Sequence, residues 1–267
     1  MDHSGNYKNL FDLSGKVCIV TGGTGYIGAE LADALLAHGA SVAIAYHTEE
    51  KVRREKYEGQ TEFAAFFYCD LSSSESIREC YESVNRHYGR IDVLVNCGAY
   101  FKGHGEGSVI ELMSDEVFNY GVDGSLGSVF RATREIIPYM KESGGSIINI
   151  ASMYGVVSPD PRIYGDNPAK NPPNYGAAKA GVLQFTRHCG AHLAQYGIRA
   201  NAITPGPFNS PANQTDAEFI SKLTAKTMME RYGHPSEIAG ACVLLASDAS
   251  SFMTGSNITI DGGWTAW

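Results

Sequence analysis

Tyr175 and Lys179 stand four residues apart, with Gly176, Ala177 and Ala178 between them. On a helix that spacing sets a phenol and an ammonium on one face, about one turn apart. A free phenol has a pKa of about 10 and exchanges protons poorly near neutrality. A nearby positive charge favours the phenolate. A drop of roughly 3 units needs about 4 kcal/mol of differential stabilisation, which an ammonium in a semi-buried site can largely supply. The pair would then be an acid/base group able to serve a hydroxyl or a carbonyl. Tyr and Lys at this spacing also occur on ordinary solvated helix faces, so the rest of the chain must decide. Tyr154 is a rival phenol, but no lysine follows it four residues on.

A second chemical signature is the run Thr21-Gly22-Gly23-Thr24-Gly25-Tyr26-Ile27-Gly28, entered directly from the apolar run KVCIVTG. Gly23, Gly25 and Gly28 satisfy GxGxxG between a strand and a helix. Such a turn lets bare backbone approach a pyrophosphate at a helix N-terminus, and its last glycine permits close helix-strand packing. The NAD signature is an acidic residue at the end of the second strand, holding the ribose hydroxyls. Here that strand ends at Tyr46-His47, and Glu49 and Glu50 come a few residues late. His47, Arg53 and Arg54 either face a 2′-phosphate or form the solvated start of a helix. The cofactor expected is NAD(P), with a lean to NADP(H).

These residues need a frame. KVCIVTG, SVAIAY, FAAFFY, IDVLVN, GSIINIAS, IRANAIT and NITIDGG read as strands, most of them continuously apolar, as in strands covered on both faces. Helical patterns alternate with them: YIGAELADALLAHG, SESIRECYESVNRHYG, SLGSVFRATREIIPYM, YGAAKAGVLQFTRHCGAHLAQYG and SEIAGACVLLAS. The alternation predicts an α/β fold: a single-domain, Rossmann-like, doubly wound parallel sheet of about seven strands with helices on both faces. The domain would span residues 13–267, after a loose N-terminal arm of residues 1–12.

With these pieces together, the chain resembles the short-chain dehydrogenase/reductase family from about Leu13 to its end. The resemblance rests on motifs in order: TGGTGYIG, Asp70-Leu71 after the third strand, Asn96-Cys97-Gly98-Ala99 after the fourth, Ser152 after the fifth, Tyr175 with Lys179, Pro205-Gly206 after the sixth, and the closing IDGGW. It implies a catalytic set of Ser152, Tyr175 and Lys179. Tyr175 would be the acid in reduction and the base in oxidation. Lys179 would lower its pKa and hold the nicotinamide ribose, and Ser152 would stabilise charge on the reacting oxygen. Gly22, Gly23, Thr24, Gly25, Tyr26, Ile27, His47, Asp70, Leu71, Asn96, Gly98, Pro205, Gly206 and Ser210 would join Tyr175 and Lys179 in binding the cofactor. Asp70 would meet the adenine edge and Asn96 support the strand ends. Pro205-Gly206 and Ser210 would seat the nicotinamide.

Three departures from the family pattern bear on function. Gly25 followed by Tyr26 is a spacing closer to the longer epimerase and dehydratase branch. Ser125 stands where the family commonly has an asparagine that holds a proton-relay water. The stretch between Ser152 and Tyr175 is long, proline-rich and polar; Asp160, Arg162, Tyr164, Asp166 and Asn167 could bind hydroxyls or a carboxylate, or decorate an exposed loop. The expected activity is an NAD(P)-dependent oxidoreductase interconverting a secondary alcohol and a ketone on a sugar, polyol or sugar acid. A short-chain epimerase or dehydratase that retains its cofactor, and a non-catalytic dinucleotide sensor, are the alternatives.

Composition narrows the partners. A net charge of -8 argues against a nucleic-acid footprint, and no apolar run reaches membrane-spanning length. The six cysteines contain no CxxC pair and read as reduced thiols of a cytoplasmic protein. His188 and His192 have metal-like spacing but no evident third ligand, so no metal is expected. Phe208 to Arg231 reads as a loop and short helix able to close over substrate. The apolar surface of the two segments ending in PYM and QYG suggests a homo-oligomer, and the family resemblance implies a dimer or a tetramer.

Overall fold

The computed structural model describes residues 7–100, 109–165, 171–210 and 216–267. Asp166 and Asn167 lie outside the described residues, as do residues 1–6 of the expected arm. Seven strands form one sheet: β1 Val17–Thr21, β2 Ser41–Tyr46, β3 Ala64–Tyr68, β4 Val93–Asn96, β5 Gly145–Ile150, β6 Ile198–Pro205 and β7 Asn257–Ile260. Their order is β3-β2-β1-β4-β5-β6-β7, and every pairing is parallel. All carboxyl ends therefore meet one edge, and the direction of winding reverses between β1 and β4. That reversal opens a crevice for ligands in such sheets.

The helices are α1 Tyr26–Ala37, α2 Ser74–Tyr88, α3 Asp115–Val122, α4 Ser128–Met140, α5 Pro161–Tyr164, α6 Pro173–Leu193, α7 Ala217–Thr224 and α8 Ser236–Ala246. Strand side chains alternate between two cores. Cys18, Val20, Val42 and Ile44 pack with Leu31, Leu35, Ile238 and Leu245 of α1 and α8. Val17, Ile19, Ala43 and Leu94 pack with Ile77, Tyr81, Ile136 and Leu193 of α2, α4 and α6 on the other face. Sealing both faces explains why the β1 run is wholly apolar until Thr21. Each such fully buried Ile or Leu contributes about 1.5–3 kcal/mol.

Local signals set the helix ends. The Ser73 hydroxyl accepts from Ser76 N at 3.2 Å to start α2, and Gly89 ends it at φ 81°. Pro173 opens α6, where its fixed φ and missing N–H cost nothing. One expectation needs correction. The segment beginning at Ser125 is not the start of one helix; α3 precedes it, and a π-helical turn, Asp123–Gly127, joins α3 to α4. Gly121 and Gly124 discourage a helix locally but are demanded by packing. A Cβ at Gly121 would sit 2.2 Å from Asn174 Nδ2, and one at Gly124 1.9 Å from the Tyr100 carbonyl oxygen. Part of the expected arm is tied down, since Ala249 N donates to the Leu10 carbonyl at 3.1 Å.

Candidate active site

The glycine turn leaves β1 at Gly22, which takes φ +63°. Its backbone passes so near the turn after β4 that a Cβ there would lie 2.6 Å from Gly98 Cα. Thr21 holds this approach: its hydroxyl accepts from Cys97 N at 3.1 Å and Gly98 N at 3.2 Å. A Cβ on Gly28 would stand 2.2 Å from the Gly22 carbonyl oxygen, so the first turn of α1 packs directly on the loop. Gly25 is the N-cap of α1 and offers no side chain to the first helical N–H groups. They remain donors for an anion.

Two clefts meet at Gly22. The larger, about 390 Å³, is lined by Gly25, Tyr26, Ile27, Ser152, Tyr175, Lys179, Pro205, Gly206 and Ser210. The smaller, about 210 Å³, is lined by His47, Asp70, Leu71 and Gly98. Together they follow the carboxyl edge across the β1/β4 switch point. The residues present therefore fit a dinucleotide: a bare glycine turn at the centre, polar groups at one end and a phenol with an amine at the other. Cys97, Ala99, Phe208 and Asn209 also line the larger cleft, and Tyr100 and Tyr120 the smaller. Cys97 and Ala99 belong to the motif after β4, although only Asn96 and Gly98 of it are expected to serve the cofactor. Phe208 and Asn209 follow Pro205-Gly206 and carry no motif of their own.

Three expected cofactor residues stand apart from these walls. Gly23 packs against β2, and its N–H donates to the Ala45 carbonyl at 3.0 Å. Thr24 lies in the turn itself. Asn96 is buried; its Nδ2 donates to Asn149 Oδ1 at 2.8 Å, and Asn149 Nδ2 donates to Thr186 Oγ1 at 2.9 Å. It binds β4 to β5, and through Asn149 to α6, from beneath the cleft, so its part is to brace the strand ends.

Tyr175 and Lys179 are brought side by side, but their electrostatics differ from the simple expectation. Lys179 Nζ lies 5.9 Å from the Tyr175 ring centroid and donates to the Ile150 carbonyl at 2.7 Å. Burial pushes the Tyr175 phenol above its ordinary value, and the hydrogen bond with Ser152 only partly opposes this. Burial likewise pulls the Lys179 ammonium down to about 8. The protein by itself therefore does not make the phenol acidic. Desolvation is the largest influence on the phenol, and the Lys179 ammonium gives one of its three N–H groups to the Ile150 carbonyl. The Ser152 hydroxyl also accepts from Tyr154 N at 3.2 Å. Tyr154 pairs its hydroxyl with that of Tyr164 at 3.1 Å, and burial drives its pKa far up.

At the other end, burial of Asp70 opposes ionisation, but two hydrogen bonds from Ser72, at 2.8 and 2.7 Å, outweigh it and hold the carboxyl low. The two arginines weighed for a 2′-phosphate make surface contacts within the protein. Arg54 pairs with Glu49 at 2.8 Å and lies over the Tyr46 and Phe66 rings, and Arg53 donates to the Glu50 carbonyl at 2.9 Å. Of the three basic candidates, His47 lines the cleft. For Asp160 and Arg162, which the sequence left between substrate contact and loop decoration, the structure shows ion pairing within the protein. Asp160 caps α5, pairs with Arg162 at 2.8 Å and accepts Lys226 of the α7 region at 2.6 Å. Their charges lock the long loop to the segment after α7.

Ser125 lies on the π turn, buried, with no hydrogen-bond partner for its hydroxyl among the described residues. The rings of His188 and His192 stack at 6.0 Å, and among the described residues no group of three His, Cys, Asp or Glu could hold a metal. Among the same residues no helix is long and apolar enough to cross a membrane.

A family model described as enoyl-(acyl carrier protein) reductase matches residues 24–265. The 3-oxoacyl-(acyl-carrier-protein) reductase FabG of Thermotoga maritima is 34% identical over 255 residues, covering 94% of this chain and 98% of the relative. Sorbose reductase SOU1 of Candida albicans is 31% identical over 265 residues, covering 97% and 90%. The crystal structure of a gluconate 5-dehydrogenase from Burkholderia cenocepacia, in complex with NADP and tartrate, superposes with a TM-score of 0.85 at 28% identity, covering 98% of this chain and all of that one.

Proposed function

The chain belongs to the short-chain dehydrogenase/reductase family, and from that premise we propose that it interconverts a secondary alcohol and a ketone with Tyr175 as acid/base. One observation carries the reading: Ser152, Tyr175 and Lys179 line the same cleft as the glycine turn and Pro205-Gly206. NAD(P), when held in this cleft, would supply or accept the hydride. Ser152 hydrogen-bonds the reacting oxygen and stabilises its developing charge. Tyr175 gives that oxygen a proton in reduction and removes it in oxidation. Burial keeps the phenol protonated near neutrality, which suits reduction; oxidation gains as pH rises. Lys179 holds the ribose end and biases the phenol towards phenolate when its ammonium turns from Ile150.

NADP(H) is the preferred cofactor in this reading. β2 ends without a carboxylate, His47 lines the adenine-side cleft, and the structural neighbour was crystallised with NADP. The substrate is a small hydroxylated ketone or alcohol of the sugar, polyol or sugar-acid class. The sorbose reductase and gluconate 5-dehydrogenase relatives support this, together with the Asn209 and Ser210 side chains at the cleft. The protein acts in the cytoplasm as a homo-oligomer. Its six unpaired cysteines favour the first, and Leu126, Phe130 and Phe185 around a hollow of about 630 Å³ between α4 and α6 favour the second. The similarity to a 3-oxoacyl reductase supplies a competing substrate class.

The test is a panel of keto-sugars, sugar acids and 3-oxoacyl thioesters with each nicotinamide cofactor, on the wild type and Tyr175→Phe. Turnover of the variant should fall by about 10²–10⁴ while dinucleotide binding persists. A loss under tenfold refutes the role of Tyr175. Product without net change at 340 nm would favour an epimerase or dehydratase.

A further inference from the structure

The smaller cleft is walled by Leu71, from the turn after β3, and Tyr100, from the segment after β4. β3 and β4 are separated in the sheet by β2 and β1, so no direct strand pairing joins the segments that leave their carboxyl ends. Arg131, on α4, spans them. Its Nε donates to the Leu71 carbonyl at 2.9 Å and one Nη to the Tyr100 hydroxyl at 2.8 Å. Both Nη groups grip Asp123 of the π turn, at 2.8 and 3.0 Å. The Tyr100 hydroxyl also donates to Asp123, and Tyr100 N donates to the Gly124 carbonyl at 3.2 Å. Arg131 reaches Asp123 across Gly127, where a Cβ would stand 2.2 Å from the Asp123 carboxylate. The Arg131 side chain is only 15% exposed, and its bonds to Leu71 and Tyr100 are partly buried, while the Asp123 carboxylate stays half in water.

We propose that Arg131 is a positioning residue for the adenine end of the dinucleotide: it sets the width of the cleft by joining the two walls to the π turn. This rests on the proposed dinucleotide-dependent function. Arg131 lines neither cleft itself, so it acts through Leu71 and Tyr100. A lysine keeps the charge but lacks the planar fork needed for three partners at once.

The test measures binding of NADP(H), of adenosine 2′,5′-bisphosphate and of nicotinamide mononucleotide to the wild type, Arg131→Lys and Tyr100→Phe, with steady-state kinetics alongside. Arg131→Lys should weaken NADP(H) and the bisphosphate by about tenfold, as loss of one or two charge-assisted bonds implies, and raise KM for the cofactor in step. Nicotinamide mononucleotide affinity should stay within about twofold and kcat within about threefold, because the other cleft is untouched. Unchanged bisphosphate binding, or equal loss for both fragments, overturns the role of Arg131. If Arg131→Lys does not fold, Tyr100→Phe decides, and it should weaken the bisphosphate by about threefold or more; wild-type affinity in that variant overturns the role. Failure of the wild type to bind any of the three probes instead overturns the functional reading beneath it.

Discussion

Replacing Lys179 by methionine should make the protein more stable and nearly inactive. Folding lowers the pKa of this buried amine from its ordinary 10.5 to about 8. That change corresponds to about 3 kcal/mol acting against the ammonium form in the native state. Methionine fills similar space and needs no charge, but it leaves the Ile150 carbonyl without its 2.7 Å donor, a loss of about 1 kcal/mol. The net gain at pH 7 is therefore about 2 kcal/mol, or roughly 4–8 °C in Tm for a chain of this size. The pH dependence separates this cause from better packing. Between about pH 8 and 10.5 the unfolded chain binds a proton at Lys179 that the native state has released. Wild-type stability from this group therefore rises with pH across that window, whereas below it the native state carries the full cost. The advantage of the methionine variant should shrink as pH climbs and vanish or reverse near pH 10.5. Thermal unfolding at pH 7, 8.5 and 10, beside turnover with a ketone substrate, measures both arms. A variant less stable than wild type at pH 7, or one whose advantage ignores pH, would refute the reasoning. So would turnover within about tenfold of wild type, since positioned acid/base groups typically contribute 10²–10⁴.

Three further outcomes follow from other contacts. Ser152→Ala should lower kcat by about 10²–10³ with little change in cofactor binding, because one donor to the reacting oxygen is lost; stopped-flow hydride transfer measures it. Gly28→Ala drives a Cβ to 2.2 Å from the Gly22 carbonyl. It should weaken dinucleotide binding by about tenfold or more, read by titration calorimetry, as overpacking of this kind costs about 1–3 kcal/mol. Asp160→Ala removes the cap of α5 and the acceptor of Lys226, so trypsin should cleave after Arg162 roughly fivefold faster or more.

The fold was legible because strand and helix signals are local. Continuous apolar runs announced the strands, and all seven appear where the runs lie. The exception is α3. Gly121 and Gly124 lower helix propensity, yet they are there because Asn174 and Tyr100 approach from distant segments. The same limit governed charge. Asp160 and Arg162 read either as substrate ligands or as loop decoration, and Lys226, far along the chain, takes part in an ion-pair cluster with Asp160 that local sequence does not show. Arg54 read either as a phosphate ligand or as part of a solvated helix start, and the contacts it makes with Glu49 and the Tyr46 and Phe66 rings come from its tertiary setting.

The chain by itself pointed to the edge on which Ser152, Tyr175, Lys179, Pro205 and Gly206 gather, because parallel strands deliver the residues at their carboxyl ends to one side. Only the tertiary structure decided the state of those groups. The spacing of Tyr175 and Lys179 predicts an acidic phenol, yet burial raises the phenol and lowers the amine. Spacing along a helix sets which side chains are neighbours. How much water they lose, and which carbonyl takes the ammonium, depends on elements that arrive from elsewhere in the chain.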